Sequence, residues 1–167
     1  FGLIYGMGAF GLAQSLGIER SAATTYIERY FQRFAGVKRY MDETKASARA
    51  KGYVETLFGR RIYLPEINGG NGPRRSGAER QAINAPMQGT AADLIKLAMI
   101  AVQGWIEREG LGTRLIMQVH DELVLEVPDA EVETVKAELP GLMSGVATLA
   151  VPIPAEVGFG PNWERAH

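Results

Sequence analysis

No cysteine occurs among the 167 residues, which excludes disulfides and thiolate metal sites. Histidine is scarce: His120 and His167 are the whole supply. Metal phosphohydrolases that use a His-Asp pair need further histidines, so a histidine-ligated centre at His120 is disfavoured. No apolar run approaches the roughly 18 residues of a membrane helix, and no signal peptide precedes the fold. Net charge is also small, 18 Lys and Arg against 19 Asp and Glu, or −1. That balance alone argues against a nucleic-acid binder, but distribution matters more than the sum. Between Arg60 and Arg80 five arginines (60, 61, 74, 75, 80) outnumber two acids (Glu66, Glu79), and five minus two leaves +3. Asp129, Glu131, Glu133 and Glu138 offset this downstream. Either one face is basic and another acidic, or the charges are ordinary surface.

What is present is 46% hydrophobic residues, enough for one soluble globular unit with a core. A cytosolic compartment is compatible with the lack of thiols. The chain opens Phe1-Gly2-Leu3-Ile4-Tyr5-Gly6, with neither Met nor cap, and reads as the middle of an element in a longer protein.

Pattern reading predicts a helix end over residues 1–8 and a short helix from Ala9 to Leu16. Ser21 is the expected N-cap of a helix to about Phe34, with Ala23, Tyr26, Ile27, Tyr30, Phe31 and Phe34 on its apolar side. A helix from Gly36 to about Ala50, a hairpin of 52–58 with 61–64 about Gly59-Arg60, and a Gly- and Asn-rich loop from Pro65 to Pro73 follow. A long helical region, Ser76 to Glu109, is expected to kink or break at Pro86, since proline lacks the donor and clashes with the preceding turn. Two strands then flank His120-Asp121. A helix over about 129–145, irregular at Pro140-Gly141, and a last strand over 152–158 complete the chain. The order implies an α+β fold with an antiparallel sheet.

Three constellations carry possible chemistry. Gln118-Val119-His120-Asp121-Glu122 lies between two apolar runs, which puts His120 and Asp121 at a hairpin tip without the usual glycine. It is either a solvated polar turn or a presented carboxylate. Glu122 would point to the other face of the strand and cannot duplicate Asp121. Asp42, Asp93 and Asp129 read as helical or helix-initiating, so a two-carboxylate metal site is incomplete here. Arg80, Asn84 and Gln88, spaced i, i+4, i+8, share nearly one helix face. They are either the polar side of a half-buried helix or a row of donors for the minor-groove acceptors that every base pair presents. Phe1 and Tyr5, i and i+4 beside Gly2 and Gly6, either pack in a core or stack on a base.

Four blocks together resemble family A DNA polymerases of the bacterial DNA polymerase I type. They are residues 1–8 (FGLIYGMG), 52–61 (GYVETLFGRR), 78–93 (AERQAINAPMQGTAAD) and 118–122 (QVHDE). The likeness extends over essentially the whole chain to Asn162-Trp163 and His167. It implies the C-terminal part of a right-hand polymerase domain. About 1–85 would be part of the fingers and about 86–167 part of the palm, with helices and an antiparallel palm sheet. It implies dNTP addition to a primer 3′ end by two-metal phosphoryl transfer, in replication and repair. Phe1 would contact the dNTP sugar and Tyr5 would stack near the templating base. Arg80, Asn84 and Gln88 would line the primer–template minor groove, with His120 near the primer terminus. Asp121 would bind catalytic Mg²⁺, two ions in all, and Glu122 would be its acidic neighbour. The other catalytic aspartate, and the Arg and Lys that hold the triphosphate, would lie upstream of Phe1. The implied partners are primer–template DNA, dNTP and the rest of the polymerase chain, with no membrane, in the bacterial cytoplasm at the nucleoid. The alternative is a non-catalytic nucleic-acid-binding relative of the fold.

Overall fold

The structure is a computed structural model that describes residues 2–166. The chain forms two compact units, Phe1–Thr90 and Ala91–His167, where length and composition allow for one. The element order is helical with two hairpins, α+β as expected: α1 (Ala9–Leu16), α2 (Arg20–Arg33), α3 (Ala35–Lys51), β1 (Tyr53–Glu55), β2 (Arg61–Tyr63), α4 (Gly72–Glu109), β3 (Arg114–Val119), β4 (Glu122–Glu126), α5 (Val132–Ser144) and α6 (Trp163–Ala166). β1 pairs with β2 and β3 with β4, both antiparallel, in two separate sheets. No helix among the described residues is long and apolar enough to cross a membrane.

In the first unit, the predicted helix end at residues 2–7 closes as a Schellman cap. Met7 N–H bonds the Gly2 carbonyl at 2.9 Å and Gly6 N–H bonds that of Leu3 at 3.1 Å. Gly6 takes φ 82°, the left-handed value such a cap demands. A β-carbon on Gly2 would lie 2.6 Å from Met7 Cε, so the missing side chain lets the Met pack over the cap. Leu3, Leu12 and Ala23 bury together here. Ala48, Val54, Leu64, Ile67, Ala78 and Ala82 form a second cluster from α3, the β1–β2 hairpin and α4. Each fully buried Leu or Ile contributes about 1.5–3 kcal/mol.

Several boundaries differ from the sequence reading. Ser21 does not cap α2, which begins at Arg20; its carbonyl instead accepts the Thr25 hydroxyl inside the helix. Of the predicted apolar side of α2 only Ala23 is buried, and Tyr26 and Phe34 are exposed. α4 starts at Gly72 rather than Ser76, because Asn71 Oδ1 accepts Arg74 N–H at 3.2 Å and Pro73 needs no donor in a first turn. The helix does not break at Pro86 and continues to Glu109.

In the second unit, Val102, Trp105 and Ile106 of α4 pack with Val135 and Leu139 of α5, and Leu123 and Leu125 of β4 close over them. A short 3-10 turn, Asp129–Glu131, precedes α5, which runs through Pro140. The strand expected over 152–158 does not form. Pro152 and Pro154 each lack a ladder donor, and no described strand pairs with the segment; Val157 alone packs on the core. Asn162 Oδ1 caps α6 through Arg165 N–H at 3.1 Å.

The β3–β4 hairpin depends on one irregularity. Leu115 pairs with Leu125, but Met117 pairs with Val124 and Val119 with Glu122, so the register slips by one at Ile116. Had the first register held, Val119 would face Asp121, leaving His120 alone as a loop. The bulge supplies the second residue that a tight turn needs. His120 takes φ 53°, the one non-glycine described at positive φ. The Gln118 amide donates to the His120 carbonyl and braces the turn. At the other end of β3, the Glu131 carboxylate accepts Gly112 N–H at 2.7 Å, Thr113 N–H at 2.9 Å and the Thr113 hydroxyl at 2.6 Å. The Thr113 hydroxyl and then the Gly112 N–H hold this carboxyl below the usual glutamate range.

Two outcomes follow for the hairpin. A depressed carboxylate stabilises the fold above its unfolded pKa, about 4.3, and loses that contribution as pH falls through the lower folded value. Melting temperatures from pH 7 to 3 should therefore show an acid-side decline that Glu131→Gln diminishes; identical profiles would refute the tie. His120→Val should cost about 1 kcal/mol, because a β-branched residue resists left-handed backbone, whereas His120→Gly should cost nothing. Equal melting temperatures for the two variants would show that the turn does not keep this conformation.

Candidate active site and nucleic-acid interface

At about 100° per residue, Arg80, Asn84 and Gln88 cover roughly 80° of the α4 circumference. Arg80 and Gln88 are exposed and Asn84 is half-buried, while Ala78, Ala82 and Ile83 on other sides of the helix are buried. The amphipathic reading and the donor-row reading thus describe one surface. Among the described residues Arg80 and Arg75 form no ion pair, unlike other arginines of the basic segment. Arg61 meets Glu55 at 3.0 Å, Arg74 meets Glu66 at 3.8 Å, and Glu79 is engaged by Arg49 at 2.6 Å. The local excess of positive charge is therefore partly neutralised, and Arg80 keeps its guanidinium available for an external acceptor.

The Gly6 cap reaches this row. A β-carbon there would lie 3.1 Å from Arg80 Cγ and 3.6 Å from Ile83 Cδ1. Glycine is demanded here by φ, and a β-carbon would also press on the arginine stem. The turn that carries Tyr5, a ring 48% exposed, is thereby seated against the start of the donor row. Two blocks 75 residues apart in sequence (Tyr5 to Arg80) come together in one unit. Phe1, the other expected nucleotide contact, lies outside the described residues.

In the second unit, His120 and Asp121 form the tip of the β3–β4 hairpin and are exposed. Glu122 is the first residue of β4 and half-buried, and the Trp163 indole N–H donates to its Oε2 at 3.4 Å. Gly158 and Gly160 permit the fold-back that brings Trp163 there, since a β-carbon on Gly158 would collide with the Ala166 carbonyl. The two adjacent acids thus have different surroundings: Glu122 is tied to α6, and Asp121 stands in the turn. The donor set fits one carboxylate ligand to a divalent ion, Asp121. Among the described residues no group of three or more His, Asp or Glu could hold a metal.

Gln118 and Gly6 belong to constellations legible in the sequence but carry no individual role there, and Trp163 carries none. Gln118 carried a signal, a lone amide in an otherwise apolar strand two residues before the turn. The partners of Gly6 and Trp163, Arg80 and Glu122, lie in distant segments, which no local pattern reports.

Comparison with known proteins agrees with this geometry. The model of DNA polymerase family A matches residues 1–165. DNA polymerase I of Pseudomonas aeruginosa is 60% identical over 167 residues, covering 100% of this chain and 18% of that protein. DNA polymerase I of Geobacillus stearothermophilus is 49% identical over 166 residues, 99% of this chain and 19% of the relative. Among solved structures, the POL domain of Pol1 from M. smegmatis, in complex with DNA primer-template and dNTP, superposes with a TM-score of 0.96 at 45% identity. The match covers 99% of this chain and 29% of that one. The chain spans under a fifth of the length of these curated relatives. It belongs to DNA polymerase family A.

Proposed function

We propose that this chain forms part of the active site of a DNA-directed DNA polymerase. Residues to about 85 would belong to the fingers and those from about 86 to the palm. The observation that carries the reading is Asp121, an exposed carboxylate held at a two-residue turn by a left-handed His120. A two-residue hairpin turn demands left-handed backbone, and here His120 supplies it in place of the usual glycine, which leaves Asp121 at the exposed tip. The relative solved with primer-template and dNTP supports the same partners for this protein.

In this reaction the primer 3′-hydroxyl attacks the α-phosphate of a dNTP, and pyrophosphate leaves. Bound Mg²⁺ supplies acidification of the hydroxyl and neutralisation of charge at the phosphate. Asp121 is the residue here that would hold it, together with an aspartate outside the described residues. Glu122, fastened to Trp163, orients the start of β4 beside it. His120 lies next to the primer terminus. Phe1 contacts the dNTP sugar and Tyr5 stacks near the templating base. Arg80, Asn84 and Gln88 donate to purine N3 and pyrimidine O2 in the minor groove. A mispair shifts those acceptors, so the row senses pair geometry without reading sequence.

Asp121→Ala in the polymerase that contains this chain should lower primer extension on the order of 10³-fold, with primer–template affinity largely kept. Extension kinetics and a binding titration measure both, and extension within about tenfold of wild type would sink the assignment. The isolated 167-residue chain should incorporate no dNTP; incorporation by the purified chain would show that its own residues complete the metal site.

A further inference from the structure

Pro86 lies between Asn84 and Gln88 and withholds the N–H that would bond the Ala82 carbonyl. A proline there ordinarily kinks a helix, which would change the spacing of the two amides that flank it. Side chains donate to three carbonyls around this turn. The Tyr40 hydroxyl donates to the Ile83 carbonyl at 2.9 Å, the Thr90 hydroxyl to that of Pro86 at 2.6 Å, and the Arg60 guanidinium to that of Gly89 at 2.9 Å. Thr90 Oγ1 also accepts Leu57 N–H at 3.0 Å, which joins the β1–β2 loop to the helix. The loop keeps its shape through buried Thr56, whose hydroxyl accepts the N–H of Phe58 and of Arg60 at 3.3 and 3.2 Å. It sits directly on the helix backbone: a β-carbon on Gly89 would lie 2.6 Å from Thr56 Cγ2.

At about 100° per residue, Pro86, Gly89 and Thr90 lie on the side of α4 roughly opposite Arg80, Asn84 and Gln88. The clamp therefore grips the helix from behind the donor row. We propose that Thr90 and Tyr40, with the Thr56–Arg60 loop, are positioning residues that fix the placement of Asn84 and Gln88 across Pro86 and so set discrimination between paired and mispaired primer termini. This rests on the reading of that row as the minor-groove contact.

The test compares extension of matched and mispaired primer termini by the polymerase that contains this chain, in Thr90→Val, Thr90→Ser, Tyr40→Phe and Gln88→Ala. The valine and phenylalanine variants should lower the matched-to-mispaired ratio on the order of tenfold, less than the roughly hundredfold that a full 1 Å misplacement can cost. Thr90→Ser, which keeps the hydroxyl, should behave as wild type. Thr90→Val added to Gln88→Ala should lose less than the two single losses combined, because the Gln88 contact is common to both. A merely structural threonine would lower melting temperature and leave the ratio unchanged. If Gln88→Ala lowers the ratio while folded Thr90→Val and Tyr40→Phe stay within about twofold of wild type, the clamp is refuted and the minor-groove reading stands. If Gln88→Ala leaves the ratio unchanged, the reading falls and the clamp with it. Should Thr90→Val fail to fold, Tyr40→Phe decides; equal losses in Thr90→Ser and Thr90→Val would refute the role of the hydroxyl.

Discussion

The continuity of α4 through Pro86 is the constraint on which most of the remaining structure depends. Its first half contributes Ala78 and Ala82 to one core, and its second half contributes Val102, Trp105 and Ile106 to another. The same helix carries Arg80, Asn84 and Gln88 on its outer side. A proline within such a helix removes one backbone bond and crowds the preceding turn, at about 3 kcal/mol or more. Tyr40, Thr90 and Arg60 add side-chain hydrogen bonds to the neighbouring Ile83, Pro86 and Gly89 carbonyls. Burial pushes the Tyr40 phenol pKa up, further from ordinary pH.

The hairpin solves a separate problem, the display of a carboxylate beside an apolar sheet. A one-residue bulge at Ile116 converts an impossible single-residue loop into a two-residue turn. The turn then places its backbone cost on His120, and the Gln118 amide offsets part of it. The result separates two neighbouring acids. Asp121 remains exposed in the turn, whereas Glu122 enters the ladder and meets the Trp163 indole. Identical charge in adjacent positions therefore does not mean equivalent chemistry.

Much of this was legible locally. The limits Ala9 and Leu16 of α1, both hairpins, and the position of His120-Asp121 follow from apolar periodicity bounded by Gly or polar residues. Misreadings arose where one local rule outranked another. Ser21 suits an N-cap, yet the helix had already begun at Arg20. Pro73 looked like loop but is compatible with a first turn once Asn71 supplies the cap. Residues 152–158 alternate as a strand would, but a strand is defined by its partner, and two prolines remove donors from the ladder.

By itself the sequence determined which residues could do chemistry: a carboxylate at a glycine-free tip, a polar row at helical spacing, and four blocks whose combination marks the family. Spacing along one element suffices for these, because helix and strand geometry are local. Only the tertiary structure decided which of those groups are held and by what. The seating of Gly6 on the Arg80 stem, the diversion of Glu122 to Trp163, and the support of α4 by Tyr40 and a distant loop all join residues far apart in the chain. Such contacts depend on close packing and on backbone groups needing partners, and neither leaves a mark in the spacing of residues along a single element.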